Sequence, residues 1–88
     1  MKRQAYAKKR DANELEIVRA LEAIGATVHR LDVFDLLVGY RGRSHLIEIK
    51  TPSGKLTKLQ VVFMENWKGS PLHIVTDSQT AIDIVTRG

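Results

Sequence analysis

Glu14, Asp35, Glu48 and Gln60 stand where the surrounding pattern asks for apolar side chains. At about 100° per residue, Ile17, Val18, Leu21 and Ile24 form one helical stripe, and Glu14 lies within it. Glu14 also follows Asp11 by three residues, the spacing of a capping box, so it is either a tie for the helix start or a site residue. In Leu46-Ile47-Glu48-Ile49-Lys50, alternation sends Ile47 and Ile49 to one side and Leu46, Glu48 and Lys50 to the other. Asp35 interrupts the apolar run from Val33 to Val38. If the two runs pair as a hairpin, Asp35 and Glu48 approach each other. Close carboxylates repel, and a divalent cation removes the repulsion. Gln60 sits in the middle of a helical face shared by Leu56, Phe63, Met64 and Trp67. An isolated charge on a central strand costs several kcal/mol unless it is paired or metal-bound. Exceptions of this kind gather at functional sites.

The elements that must position these residues follow from periodicity. The spacing predicts a helix from Asp11, as N-cap, to about Gly25, as stop. Thr27 to Leu31, Val33 to Tyr40 and Ser44 to Thr51 read as strands, the last two joined by a turn at Arg41-Gly42-Arg43. Thr57 to Lys68 is helical in spacing, Leu72 to Thr76 is a strand, and Ser78 to Arg87 is a short amphipathic helix. The order α-β-β-β-α-β-α, with a strand-helix-strand crossover near its end, implies a small mixed β-sheet flanked by helices, an α/β fold.

Eighty-eight residues allow one domain, read as 11–88, behind a basic arm at 1–10 that carries Lys2, Arg3, Lys8, Lys9 and Arg10. Hydrophobic residues at 43% and charged residues at 27% exclude a wholly disordered chain. The absence of cysteine excludes a disulfide framework, a thiolate metal site and a cysteine nucleophile. No run is long enough to span a bilayer and the basic N-terminus leads into no apolar signal segment, so the expectation is a cytoplasmic protein. The net charge of +4, concentrated at the N-terminus, suits phosphate backbones or a solvated tail. His29, His45 and His73 show no ligand spacing and read as structural; His45 falls on the Ile47 side, away from the carboxylates.

An aspartate in an apolar strand followed by Glu-x-Lys on the next resembles the PD-(D/E)XK nuclease superfamily, and most closely its small stand-alone VRR-NUC domains of phage and bacteria. The matching stretches are Asp11-Ala12-Asn13-Glu14, Phe34-Asp35-Leu36-Leu37-Val38-Gly39, Leu46-Ile47-Glu48-Ile49-Lys50 and Leu56-Thr57-Lys58-Leu59-Gln60. Phe34 departs from the pattern, where proline is usual. The resemblance implies a restriction-endonuclease-like core. It implies Mg²⁺ or Mn²⁺ held by Glu14, Asp35, Glu48 and the backbone carbonyl of Ile49. The ion would polarise the scissile phosphate and acidify an attacking water. Lys50 would orient that water or stabilise the growing charge, and Gln60 would support the site.

Lys55 and Lys58 follow directly and, with Lys8, Lys9 and Arg10, would contact phosphates without reading sequence. A homodimer presenting two sites fits the two strands of a four-way junction, the substrate the resemblance suggests. Its apolar surface is expected from Trp67 or from the Ile82-Ile84-Val85 helix. The expectation is thus a metal-dependent, structure-selective DNA endonuclease resolving Holliday junctions, with a helicase or recombination protein as a further partner. The competing readings are a flap or duplex nuclease of phage replication or recombination, and a non-catalytic DNA-binding module.

Overall fold

The computed structural model describes residues 12–87. The basic arm, with Lys8, Lys9 and Arg10, and the Asp11 cap lie outside the described residues. The elements run α1 (Glu14–Ala23), β1 (Thr27–Arg30), β2 (Leu36–Tyr40), β3 (Arg43–Ile49), α2 (Lys58–Asn66), β4 (Leu72–Val75) and α3 (Ser78–Arg87). This is the expected order, and the fold is the expected mixed α/β sheet. Strand order is β1-β2-β3-β4. The first two pairings are antiparallel and β3–β4 is parallel, with α2 in the crossover. No helix among the described residues is long and apolar enough to cross a membrane.

The core lies on one face of the sheet. Leu36 and Val38 of β2, Ile47 and Ile49 of β3 and Val75 of β4 pack there against Ile17, Val18 and Leu21 of α1 and Ala81 and Val85 of α3. Helix α1 ends as anticipated at Gly25, whose φ of 96° only glycine adopts readily. The Gly25 N–H reaches the Glu22 carbonyl at 3.0 Å and the Ala26 N–H reaches that of Leu21 at 3.1 Å, a Schellman closure. The hairpin pairs Tyr40 with Arg43 across two residues. Arg41 and Gly42 both have positive φ, 51° and 80°, which the right-handed twist of a two-residue turn requires.

Three expectations are corrected. The second apolar run forms a strand only from Leu36; residues 32–35 bend, so Asp35 precedes β2 instead of interrupting it. The N-cap of α1 is Asn13, not Asp11, so Glu14 opens the helix and does not stand at the third position of a capping box. The second helix is shorter than its spacing suggested, Lys58–Asn66 in place of Thr57 to Lys68, and its apolar face stays largely open. Gln60 is that helix's one buried residue, while Phe63 and Trp67 remain 36% and 40% exposed.

Candidate functional site

The site is built where the sheet meets the start of α1. Asn13 Nδ2 donates to the Thr76 carbonyl at 2.8 Å, fixing the helix start beside the end of β4. The Lys50 N–H reaches the Val75 carbonyl at 2.9 Å, so β3 and β4 finish at the same level. The Leu31 N–H bonds the Asp35 carbonyl at 2.8 Å and closes the bend between β1 and β2. Glu14, Asp35, Glu48 and Lys50 are therefore brought to one end of the sheet.

Each carboxylate is deeply buried, with Glu14 and Asp35 at 2% exposure and Glu48 at 1%. Each is held by a donor. Asp35 Oδ2 accepts the Ile49 N–H at 2.7 Å. A side-chain oxygen thereby takes the hydrogen bond that a continuing β2 would have taken, which is why the ladder stops at Leu36 and why an aspartate is tolerated there. Glu48 Oε2 lies 3.1 Å from Lys50 Nζ, on the shared face that alternation predicted. Glu14 Oε2 accepts from Arg30 Nε at 2.7 Å. Charge-assisted pairs of this length offset much of the cost of burying a carboxylate.

Arg30 is the residue that sequence reasoning missed. It ends β1 opposite Leu36 and so stands beside Asp35. A basic residue closing a short β-prone run was the available signal.

Gln60 is buried on α2, where its pattern placed it, and its partners are backbone groups and Thr57. Its Oε1 accepts the Thr57 N–H at 3.0 Å and its own N–H reaches Thr57 Oγ1 at 3.1 Å, a reciprocal cap of α2. Its Nε2 donates to the Val33 carbonyl at 2.8 Å. Gln60 is thus a positioning residue that tethers α2 to the bend carrying Asp35. The Thr57-x-x-Gln60 spacing was the legible signal for the cap. Phe34 is 2% exposed, its ring edge-on to Phe63 at 5.2 Å, so the departure from proline supplies a second anchor for α2. Lys55 and Lys58 are exposed, on the loop after Lys50 and at the first position of α2.

Comparison of the chain with family models, curated proteins and solved structures finds no match. The site is read from its own geometry. Carboxylates and a backbone carbonyl are hard oxygen donors, the kind Mg²⁺ and Mn²⁺ prefer. Among the described residues, no three His, Cys, Asp or Glu side chains are gathered closely enough to hold a metal ion. Asp35 and the Glu48-Ile49-Lys50 run are joined directly, whereas Glu14 is linked to them through Arg30 and β1.

Proposed function

We propose that the chain is a Mg²⁺- or Mn²⁺-dependent, structure-selective DNA endonuclease that acts as a homodimer on four-way junctions. The observation that carries the reading is the 2.7 Å bond from the Ile49 N–H to Asp35 Oδ2. It sets a buried carboxylate against the Glu-x-Lys run at an end of the sheet where packing alone has no use for acids. Asp35, Glu48 and the Ile49 carbonyl would hold the ion, with Glu14 joining when its bond to Arg30 is exchanged. The ion would supply Lewis-acid polarisation of a phosphate and acidify a water. Lys50 presents an ammonium to the same space, where it stabilises negative charge or orients the attacking water. Lys55 and Lys58, and Lys8, Lys9 and Arg10 of the arm, attract the phosphate backbone without reading bases.

The dimer reading rests on exposed apolar surface. Leu59, Val61, Val62, Phe63 and Trp67 are all open, and Phe63 stacks on Trp67 at 5.3 Å. Of the two surfaces expected, α2 offers the more open one, because Val85 of α3 is 3% exposed and Ile82 and Ile84 are partly buried against the core. Cleavage of labelled four-way junction, flap and linear duplex with Mn²⁺ or Mg²⁺, beside Lys50→Ala, tests the proposal. Paired symmetric cuts in the junction, lost in the variant, are the expected result. Cuts confined to flaps or duplex discard the junction and keep the chemistry.

A second reading, a DNA-binding module without catalysis, is favoured by one observation. Glu14 and Glu48 already have cationic partners in Arg30 and Lys50, so their burial does not require a metal. DNA binding in EDTA, with no cleavage of any substrate when metal is added, would select it.

A further inference from the structure

Across the sheet from Glu48 and Lys50, a hollow opens between β3, β4 and the last turn of α3, lined by His45, His73, Ile84 and Arg87. Register explains the meeting of two histidines that sequence spacing keeps apart. His73 stands opposite Ile47 in the parallel pairing, and His45 precedes Ile47 by two residues on the same face. Arg43, two residues earlier again, opens β3 on that face. The hollow is thus lined by His45 from β3, His73 from β4 and Arg87 from α3, while Arg43, near enough to act on His45 by charge, and Tyr40, opposite Arg43 on β2, flank it on the same face.

His45 is 8% exposed, and its Nε2 is buried without a hydrogen-bond partner. Leaving such an atom unsatisfied carries a desolvation penalty that a bound polar atom removes. Neither Arg43 nor Arg87 has an ion pair among the described residues. Asp83, the acid on α3 closest in sequence to Arg87, accepts instead from Gln79 Nε2 at 2.9 Å. No carboxylate lines the hollow. Two imidazoles make only half of a zinc set, and two guanidiniums beside them repel a cation. The same four groups match an oxyanion.

We propose that this hollow binds a phosphate-type oxyanion, free or as a backbone diester, held by His45, His73 and Arg87. Its volume of about 340 Å³ is roughly ten times the share of one water, ample for a tetrahedral anion and its hydration. Burial, then the neighbouring His73 and Arg43 charges, holds the His45 imidazole below its ordinary 6.5. An anion reverses that balance, so it is bound more tightly at pH 6 than at pH 7.5 and raises the His45 pKa.

The test is a histidine side-chain NMR titration of the full chain in EDTA. Inorganic phosphate forms one arm and a short oligothymidylate without terminal phosphates the other. Saturable movement of the His45 and His73 signals, weakened about tenfold or more in Arg87→Gln, is expected, since one charge-assisted bond contributes roughly 1.5–3 kcal/mol. Response to phosphate alone supports a free anion, and response to the oligonucleotide supports a backbone diester. Arg87 is exposed, so its replacement leaves the fold intact. No saturable movement with either probe overturns the proposal. So does movement only with Zn²⁺ once EDTA is removed, which would make the hollow a cation site. Because EDTA removes metal from the carboxylates, either outcome leaves the nuclease reading to its own experiment.

Discussion

At the scale of single residues, the site depends on side chains that replace backbone partners. Gln60 satisfies the Thr57 N–H and the Val33 carbonyl at once. Gln60→Ala leaves both groups unpaired in partly buried surroundings, at a cost of about 1–3 kcal/mol, or a fall in melting temperature of roughly 4–24 °C. A thermal melt checks it, and an unchanged midpoint would show that the tether is dispensable. The carboxylates predict the opposite response to metal. Mg²⁺ or Mn²⁺ at a hundredfold excess over Kd should stabilise the chain by about 2.7 kcal/mol, and Glu48→Gln should abolish the gain. An equal rise in both proteins would move the binding elsewhere. The polar exceptions were legible because each broke a local period. What each one touches was not, because Arg30 and the Val33 carbonyl reach Glu14 and Gln60 only through tertiary folding.

Elements are held by their ends, and the ends were read unevenly. The Gly25 stop and the Arg41-Gly42 turn were visible because positive φ restricts the residue type. The start of α1 was not, and although α3 begins at Ser78 as its spacing predicts, the residue that caps it went unread. Asn13 uses its side chain on Thr76, while Asp77 Oδ1 takes the Thr80 N–H at 2.8 Å to cap α3, and that bond lowers the Asp77 pKa. Strand β3 carries the prediction that belongs to this scale. The His45 imidazole is held below its ordinary 6.5, chiefly by burial, so the unfolded chain binds more protons than the folded one in the window below 6.5. Stability contributed by this group is full above that pH and is lost as pH falls through the lower folded value. In phosphate-free buffer the melting temperature should drop on acidification from pH 7.5 toward 5, less steeply in His45→Gln. Parallel slopes for the two proteins would assign the drop to other groups.

At the scale of the whole molecule, one face of the sheet is closed and the other is open. Helices α1 and α3 cover the first except at the His45–His73 hollow, whereas α2 meets the second through Gln60 and the Phe34–Phe63 contact. Between them runs an apolar groove walled by Val33, Phe34, Leu37, Leu46, Phe63 and Trp67. Helical spacing marked the face of α2 as apolar but could not say whether this chain or another covers it. A second copy is the occupant the junction-resolving reading requires, because one site cuts one strand and a twofold pair cuts two. Light scattering at micromolar concentration should therefore give twice the chain mass of 9.9 kDa. Val62 is 49% exposed, so Val62→Glu removes no core contact and should yield a folded monomer. That monomer should keep its metal-induced stabilisation, since the carboxylates lie at the end of the sheet beside α1. Paired junction cuts should fall to uncoordinated nicks. A wild-type monomer, or paired cutting undiminished in Val62→Glu, would separate the chemistry from the dimer.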